Sequence, residues 1–354
     1  MKLTITPKRK NEYVSTYRYR QIDEISGECV STALICIRGS RFSGNFIPTM
    51  TVADVATLPE YRNRGLVREM LETAHQKARE YGAYVALLHP FSFDFYKKFG
   101  YERVSDTVSA AFPLRALDDL PGASALVPIE EKYYEDVISL FREFSKNRNL
   151  MFDRYNISAF LRKKSETYLY FRGAELFGYI LLEKNEEQAK ILISEAVFKD
   201  NDALLALLSH LRQYRDHFDT VEISDIEPIP EIYSVLEGKN VTYESRGDLA
   251  AKILDTEGLL RANTYPVEHG AFTLRVIDPL PTVAGVFKVT YKDTQVTVER
   301  LSSDAEADVT ADATALLRRL YGCDKTADGI TFHKNASDFV RAFPMRINGL
   351  FEHF

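Results

Sequence analysis

Residues 52–71 read VADVATLPEYRNRGLVREML, and the fold turns on how that stretch is parsed. Residues 52–57 are short and apolar, as a strand should be. Leu58-Pro59 turns the chain, and beyond the turn Leu66, Met70, Leu71, Ala74 and Ala78 recur at the spacing of one helix face. Between strand and helix stands Arg62-Asn63-Arg64-Gly65, without a Ser or Asp to cap the helix that follows. An uncapped helix start presents backbone N–H groups and a partial positive charge. Arginines beside it, and a glycine that permits close approach, make an anion site suited to a diphosphate. A bare arginine-glycine turn is as readily a solvated loop. Here a strand precedes it and a helix follows, and the next strand ends in a proline and an aromatic helix.

Working outward, strands are expected over 14–21, 28–38 and 46–57, with nothing regular in 1–13. A helix follows over 64–81, then a buried strand over 84–89 ended by Pro90, a short aromatic helix over 93–99, and an extended segment over 101–114. That order is an α/β unit. The turn-rich segment 118–128 reads as a linker. A second unit repeats the order, with a helix over 133–146, a hairpin over 168–183 turning at Arg172-Gly173, a strand over 190–198, a helix over 202–215 and a strand over 220–226. Its strand–helix junction, VFKDNDALLALL, has an ordinary cap at Asn201 or Asp202 and no glycine-arginine loop. From about Leu249, strands over 271–277, 285–291 and 295–301 and helices over 312–321 and 336–342 suggest an α+β domain. The expected division is 1–122, 123–248 and 249–354.

Composition narrows the function. The chain has 354 residues, 45% of them hydrophobic, which suffices for several cores. A formal charge of -6, with like charges only in short runs such as 8–10, argues against general nucleic-acid binding and favours cationic ligands. Cys29, Cys36 and Cys323 have no metal-ligand spacing and suit a reducing compartment. No window approaches eighteen apolar residues, and no signal-length apolar core follows the basic N-terminus. A soluble cytoplasmic protein without metal, membrane or nucleic-acid partner is expected.

The loop and its surroundings resemble the GCN5-related N-acetyltransferase (GNAT) superfamily, whose motif is Q/R-x-x-G-x-G/A. Residues 62–67 supply Arg62-Asn63-Arg64-Gly65-Leu66-Val67, with Val67 in place of the final small residue. Within VAxVAxxPxxRxRGLxRxM, and through His89 and Phe95-Tyr96-Lys97-Lys98-Phe99-Gly100-Tyr101, the chain resembles the enhanced intracellular survival (Eis) acetyltransferases. The resemblance implies a GNAT domain, a degenerate GNAT-like domain and a sterol-carrier-protein-like C-terminal domain, often assembled as hexamers. It implies acetyl-CoA as donor and an amine as acceptor, small molecule or peptide, such as an aminoglycoside or another polycationic amine. The alternative is a non-catalytic acyl-CoA or lipid-binding protein that kept the fold.

Residue by residue, the resemblance places pantetheine along Val55, Ala56 and Thr57. The diphosphate falls on the loop and first turn, Arg62, Asn63, Arg64, Gly65, Leu66, Val67 and Arg68, and Phe91 and Ser92 border the thioester. Amine attack gives an oxyanion and a thiolate with an unperturbed pKa of about 8.5, whose departure a proton donor eases. The resemblance gives that role to Tyr96 and puts His89 on the acceptor pocket. It gives the base role to the carboxylate of Phe354, with Asp54 as the rival. The family opens with a strand and two helices that wall the acceptor site. With strands beginning only after residue 13, that wall is expected to be partly missing or built differently.

Overall fold

A computed structural model describes residues 1–11, 13–122, 125–154, 165–265, 269–323, 328–334 and 337–351. The chain forms two compact units, one from Met1–Ser105 with Asp248–Asn348, the other built mainly from Asp106–Gly247.

The first unit opens with a strand that sequence reading missed. β1 (Lys2–Lys10) pairs antiparallel with β2 (Val14–Ile22), followed by β3 (Cys29–Phe42) and β4 (Asn45–Thr57). Its signal is weak because β1 is an edge strand whose residues are nearly all exposed, interrupted by Pro7 and a bulge. An opening strand is therefore present, and β1 turns directly into β2 with no intervening helix among the described residues.

Helix α1 (Leu66–Glu80) then lays Leu66, Met70, Leu71, Ala74 and Ala78 against the sheet. β5 (Val85–Leu88), buried at every position, pairs in parallel with β4. Helix α2 (Phe93–Lys97) leads into β6 (Glu102–Pro113). The core joins Tyr19, Ile35, Met50, Val52, Met70, Leu88 and Tyr101 to Ala250 and Leu254. Those last two follow the second unit in sequence but belong to the first: Ala250–Ile253, in the strand over 242–253, pair antiparallel with Leu88–Val85.

The second unit has a two-residue strand β7 (Val127–Pro128), helix α3 (Tyr134–Phe144), strands β8 (Glu166–Arg172), β9 (Glu175–Asn185) and β10 (Lys190–Phe198), helix α4 (Asn201–Ser209) and β11 (Thr220–Ile223). The end of β6 pairs with β11, which runs parallel to β10. The helix expected over 202–215 is α-helical only to Ser209 and continues as a tighter 3-10 turn over His210–Tyr214. Its cap is Asp200, whose carboxylate accepts from Ala203 N, rather than Asn201 or Asp202.

After a short helix α5 (Ile232–Leu236) and the return strand β12 (Thr242–Ile253) come α6 (Thr256–Ala262) and strands β13 (His269–Ile277), β14 (Gly285–Lys292) and β15 (Gln295–Leu301). β16 (Val309–Asp312), helix α7 (Ala313–Tyr321), β17 (Ile330–Phe332) and helix α8 (Ser337–Ala342) complete this part. These five strands form a sheet in the order β15-β14-β13-β16-β17, an α+β arrangement as expected. No described helix is long and apolar enough to cross a membrane.

Candidate donor site at the splayed end of β4

The site forms where β4 outruns β5. The parallel pairing runs from Thr49 and Val85 to Val52 and Leu88, where β5 stops while β4 continues to Thr57. The backbone of residues 53–57 therefore has no β5 partner on that edge. On its other edge β4 carries one extra residue, with Thr32 opposite Ala56 but Leu34 opposite Ala53, and Asp54 takes a left-handed φ of 50°. Such a bulge bends a strand and ends its regular pairing. The open edge at Val55, Ala56 and Thr57 forms one wall of a pocket of about 730 Å³, a size suited to a cofactor.

The arginine loop forms the next wall. Asn63 and Gly65 adopt φ of 60° and 77°, which explains why the helix begins at Leu66 and not at Arg64: a left-handed residue cannot sit inside a right-handed helix. The first backbone bond of α1 runs from Glu69 N to Gly65 O at 3.1 Å, and no side chain caps this end. The amides of Leu66, Val67 and Arg68 thus stand ahead of the helical ladder, where an anion can meet them. Around them, Arg64 donates to the Glu60 carbonyl at 2.9 Å and stacks on Tyr61, and Arg62 reaches the Thr57 carbonyl at 3.4 Å. Neither is ion-paired with a carboxylate among the described residues, so both charges are available to a phosphate. Arg68 makes an exposed 3.5 Å pair with Glu72, and its guanidinium lies 5.0 Å from the Phe99 ring centroid.

An aromatic ladder closes the pocket. Phe91, Phe95 and Phe99 all line it, with Phe91 71% exposed, an uncommon state for a phenyl ring without a partner molecule. Tyr61, Phe95 and Phe99 were absent from the sequence-derived set. The regular four-residue spacing of the three phenylalanines, of which only Phe95 lies within α2, is the signal that could have found two of them.

Of the predicted donor-site residues, Val55, Ala56, Thr57, the run from Arg62 to Arg68, and Phe91 come together on this one pocket. Ser92 and Tyr96 stand behind its wall. The Ser92 hydroxyl caps α2 by accepting from Phe95 N at 3.2 Å. Tyr96 is 3% exposed and packed edge-on against Phe91, Phe95 and Tyr101, and burial pushes its hydroxyl up to about 12. Asp54, on the exposed bulge, accepts from Arg18 at 2.9 Å. Phe354 lies outside the described residues.

Two polar groups reach this region from β12. Lys252, 8% exposed, donates from Nζ to the Phe99 carbonyl at 2.6 Å, and burial lowers its pKa. Gly100 takes φ of +81°, a conformation that favours glycine, and a Cβ there would also lie 2.7 Å from that Nζ. Asp248 lies 3.1 Å from Nδ1 of His89, the residue that follows β5. Beneath Tyr96, His75 on α1 shares a 2.8 Å hydrogen bond with the Tyr101 hydroxyl, and burial, with Lys252 and Arg79 nearby, drops its pKa to about 3. No cluster of described residues could hold a metal ion.

Comparison with known proteins agrees with this geometry. Residues 6–104 match the model of the acetyltransferase (GNAT) domain. No curated protein matches the sequence. Among solved structures, the chain is similar to a GCN5-related N-acetyltransferase from Anabaena variabilis ATCC 29413, with TM-score 0.83 at 18% identity, covering 96% of this chain and 89% of that one. A GCN5-related N-acetyltransferase from Kribbella flavida gives TM-score 0.79 at 19% identity, with coverage of 96% and 87%. Eis1 from Mycobacterium abscessus gives 0.73 at 16% identity, with 95% and 90%. At these identities the likeness is one of fold. The loop, the splayed strand and the family match together identify residues 6–104 as a GNAT acetyltransferase domain.

Proposed function

We propose that the protein transfers an acetyl group from acetyl-CoA to the amine of a polycationic acceptor, in the manner of the Eis-like acetyltransferases. The observation that carries this reading is the uncapped start of α1, with Arg62 and Arg64 not ion-paired among the described residues, opening on the unpaired edge of β4. In this reading the amides of Leu66, Val67 and Arg68 and the two guanidinium groups hold the diphosphate. The pantetheine amides pair with the backbone of Val55 and Thr57, and the phenylalanine ladder covers the thioester arm. Tyr96, protonated throughout the physiological range, donates to the departing thiolate. An acceptor such as an aminoglycoside, a polyamine or a lysine side chain matches the negative formal charge of the chain.

Titration calorimetry with acetyl-CoA, followed by free-thiol release with a panel of amines, tests the proposal. Micromolar donor binding and amine-dependent thiol release are expected. Binding without release would support the second reading, a non-catalytic acyl-CoA-binding module, and no binding at millimolar donor would remove both. The three-domain division at 122 and 248 is inferred from the linker and the order of elements, and the sterol-carrier-like character of the last part and a hexameric assembly from the Eis resemblance. Sedimentation velocity checks the last of these.

A further inference from the structure

We propose that Tyr61, held by Asp23, is a positioning residue for the donor: it sets the Arg64 guanidinium in place to meet the diphosphate. The proposal rests on the acetyl-transfer reading above. No residue from Pro59 to Gly65 is buried, so the stretch between β4 and α1 has no core packing to set its shape. An arginine on an exposed loop samples many rotamers, and ordering it on a ligand costs binding energy. A loop that meets an anion with little such loss has to be tied down by other means.

The tie comes from the turn between β2 and β3. Asp23 is itself fixed there: Oδ1 accepts from Ile25 N at 2.8 Å and Ser26 N at 3.3 Å, and its backbone N–H donates to the Glu28 carbonyl at 2.9 Å. Its Oδ2 accepts from the Tyr61 hydroxyl at 2.9 Å, across 38 residues of chain. These hydrogen bonds, the one from Ile25 N foremost, hold the Asp23 carboxyl below the usual carboxylate range, so it stays an acceptor. Tyr61 in turn presents its ring to the Arg64 guanidinium, 4.8 Å from the centroid, while Arg64 donates to the Glu60 carbonyl at 2.9 Å. Between them the left-handed Asn63, with φ of 60°, turns the chain. Tyr61 and Arg64 both line the donor pocket, as do the first-turn residues Leu66, Val67 and Arg68.

The arrangement puts a positive charge in place before the donor arrives. Tyr61 then contributes to donor binding through Arg64. A tyrosine that merely packed the loop would contribute whether or not Arg64 were present, and that difference can be measured.

The test uses the full-length protein and acetyl-CoA, with binding read by titration calorimetry and folding by thermal melts. Tyr61→Leu is expected to weaken donor binding about fivefold, the scale of a partly exposed cation–π contact, with kcat at saturating donor unchanged. In an Arg64→Ala background the same change is expected to add less than about twofold, because residues that act through one contact are not additive. Tyr61→Phe keeps the ring and loses the Asp23 bond, and is expected to weaken binding by about threefold; combining it with Asp23→Ala is expected to add nothing further. Should the leucine variant melt early, the phenylalanine variant repeats the cycle, and its loss is expected to vanish in the Arg64→Ala background. Losses that multiply fully between Tyr61 and Arg64, or wild-type binding by Tyr61→Leu, would overturn the proposal while the acetyl-transfer reading stands. Absence of acetyl-CoA binding by the wild-type protein would overturn that reading and this inference with it.

Discussion

Tyr96 and His75 show how burial decides what a side chain can do. With its hydroxyl pushed up to about 12, Tyr96 could hand a proton completely to a thiolate of pKa about 8.5 only at a cost of roughly 5 kcal/mol. In the proposed reaction its part is therefore that of a hydrogen-bond donor to charge developing on sulfur. Tyr96→Phe should therefore lower kcat by about 10²-fold and leave acetyl-CoA binding unchanged, as steady-state kinetics with calorimetry will measure. A motif draws attention to Tyr96; nothing draws it to His75, since a histidine on an amphipathic helix carries no mark of its burial. Its pKa falls from the usual 6.5 to about 3 in the folded protein, so below pH 6.5 the unfolded chain binds a proton that the folded chain refuses. Stability is fully present above 6.5 and declines as pH falls toward 3, by up to about 1.4 kcal/mol per pH unit from this group. Denaturant unfolding at pH 7, 6, 5 and 4 should show that slope reduced in His75→Gln, whose amide can still meet the Tyr101 hydroxyl.

At the scale of elements, the strand–loop–helix over β4 and α1 was readable because three local signals agree: an apolar strand, a proline turn and a helical period. What sequence could not supply was the left-handed backbone at Asn63 and Gly65, which moves the helix start two residues on and gathers the amides. Gly65 has open space where a Cβ would go, so its role is conformational and not one of packing. Gly65→Ala should cost about 1 kcal/mol in stability and raise the apparent constant for acetyl-CoA, because relaxing φ turns the first-turn amides off the phosphate. Arg62→Ala and Arg64→Ala should each raise the donor constant by roughly tenfold or more, the scale of a charge-assisted hydrogen bond, with kcat little changed. Parallel melts and initial-rate series separate these effects. β1 escaped sequence reading for the opposite reason: an edge strand with one neighbour and few buried side chains needs little hydrophobic pattern.

At the scale of the whole molecule, each unit holds a version of the same strand device, and under the proposed function the difference between them sets the number of donor sites. In the second unit β10 also carries an extra residue, with Leu181 opposite Glu195 but Leu182 opposite Ile193, and it loses β11 after Ile193. Buried polar groups stand beside that point, Glu195 lying two residues past Ile193. Arg154, 2% exposed, bonds the Glu195 carboxylate at 2.7 Å and the Tyr179 hydroxyl at 2.9 Å, with its guanidinium over Phe141. The start of α4 is capped by Asp200, which is also ion-paired with Arg172 at 2.9 Å. A carboxylate thus occupies the position that an anionic ligand would need, and like charge keeps phosphate away. Sequence reading reached the missing loop, since VFKDNDALLALL has no glycine or arginine. It could not reach the Arg154–Glu195 pair, whose members are 41 residues apart, or the Asp248–His89 pair, 159 apart, because no local period links them. The expected stoichiometry is accordingly one acetyl-CoA per chain by calorimetry. Arg62→Ala/Arg64→Ala should abolish the single binding isotherm at donor concentrations that saturate the wild type, whereas Asp200→Ala should leave it intact. A residual second isotherm in the double variant would assign a donor site to the second unit and overturn the view that Asp200 has closed it.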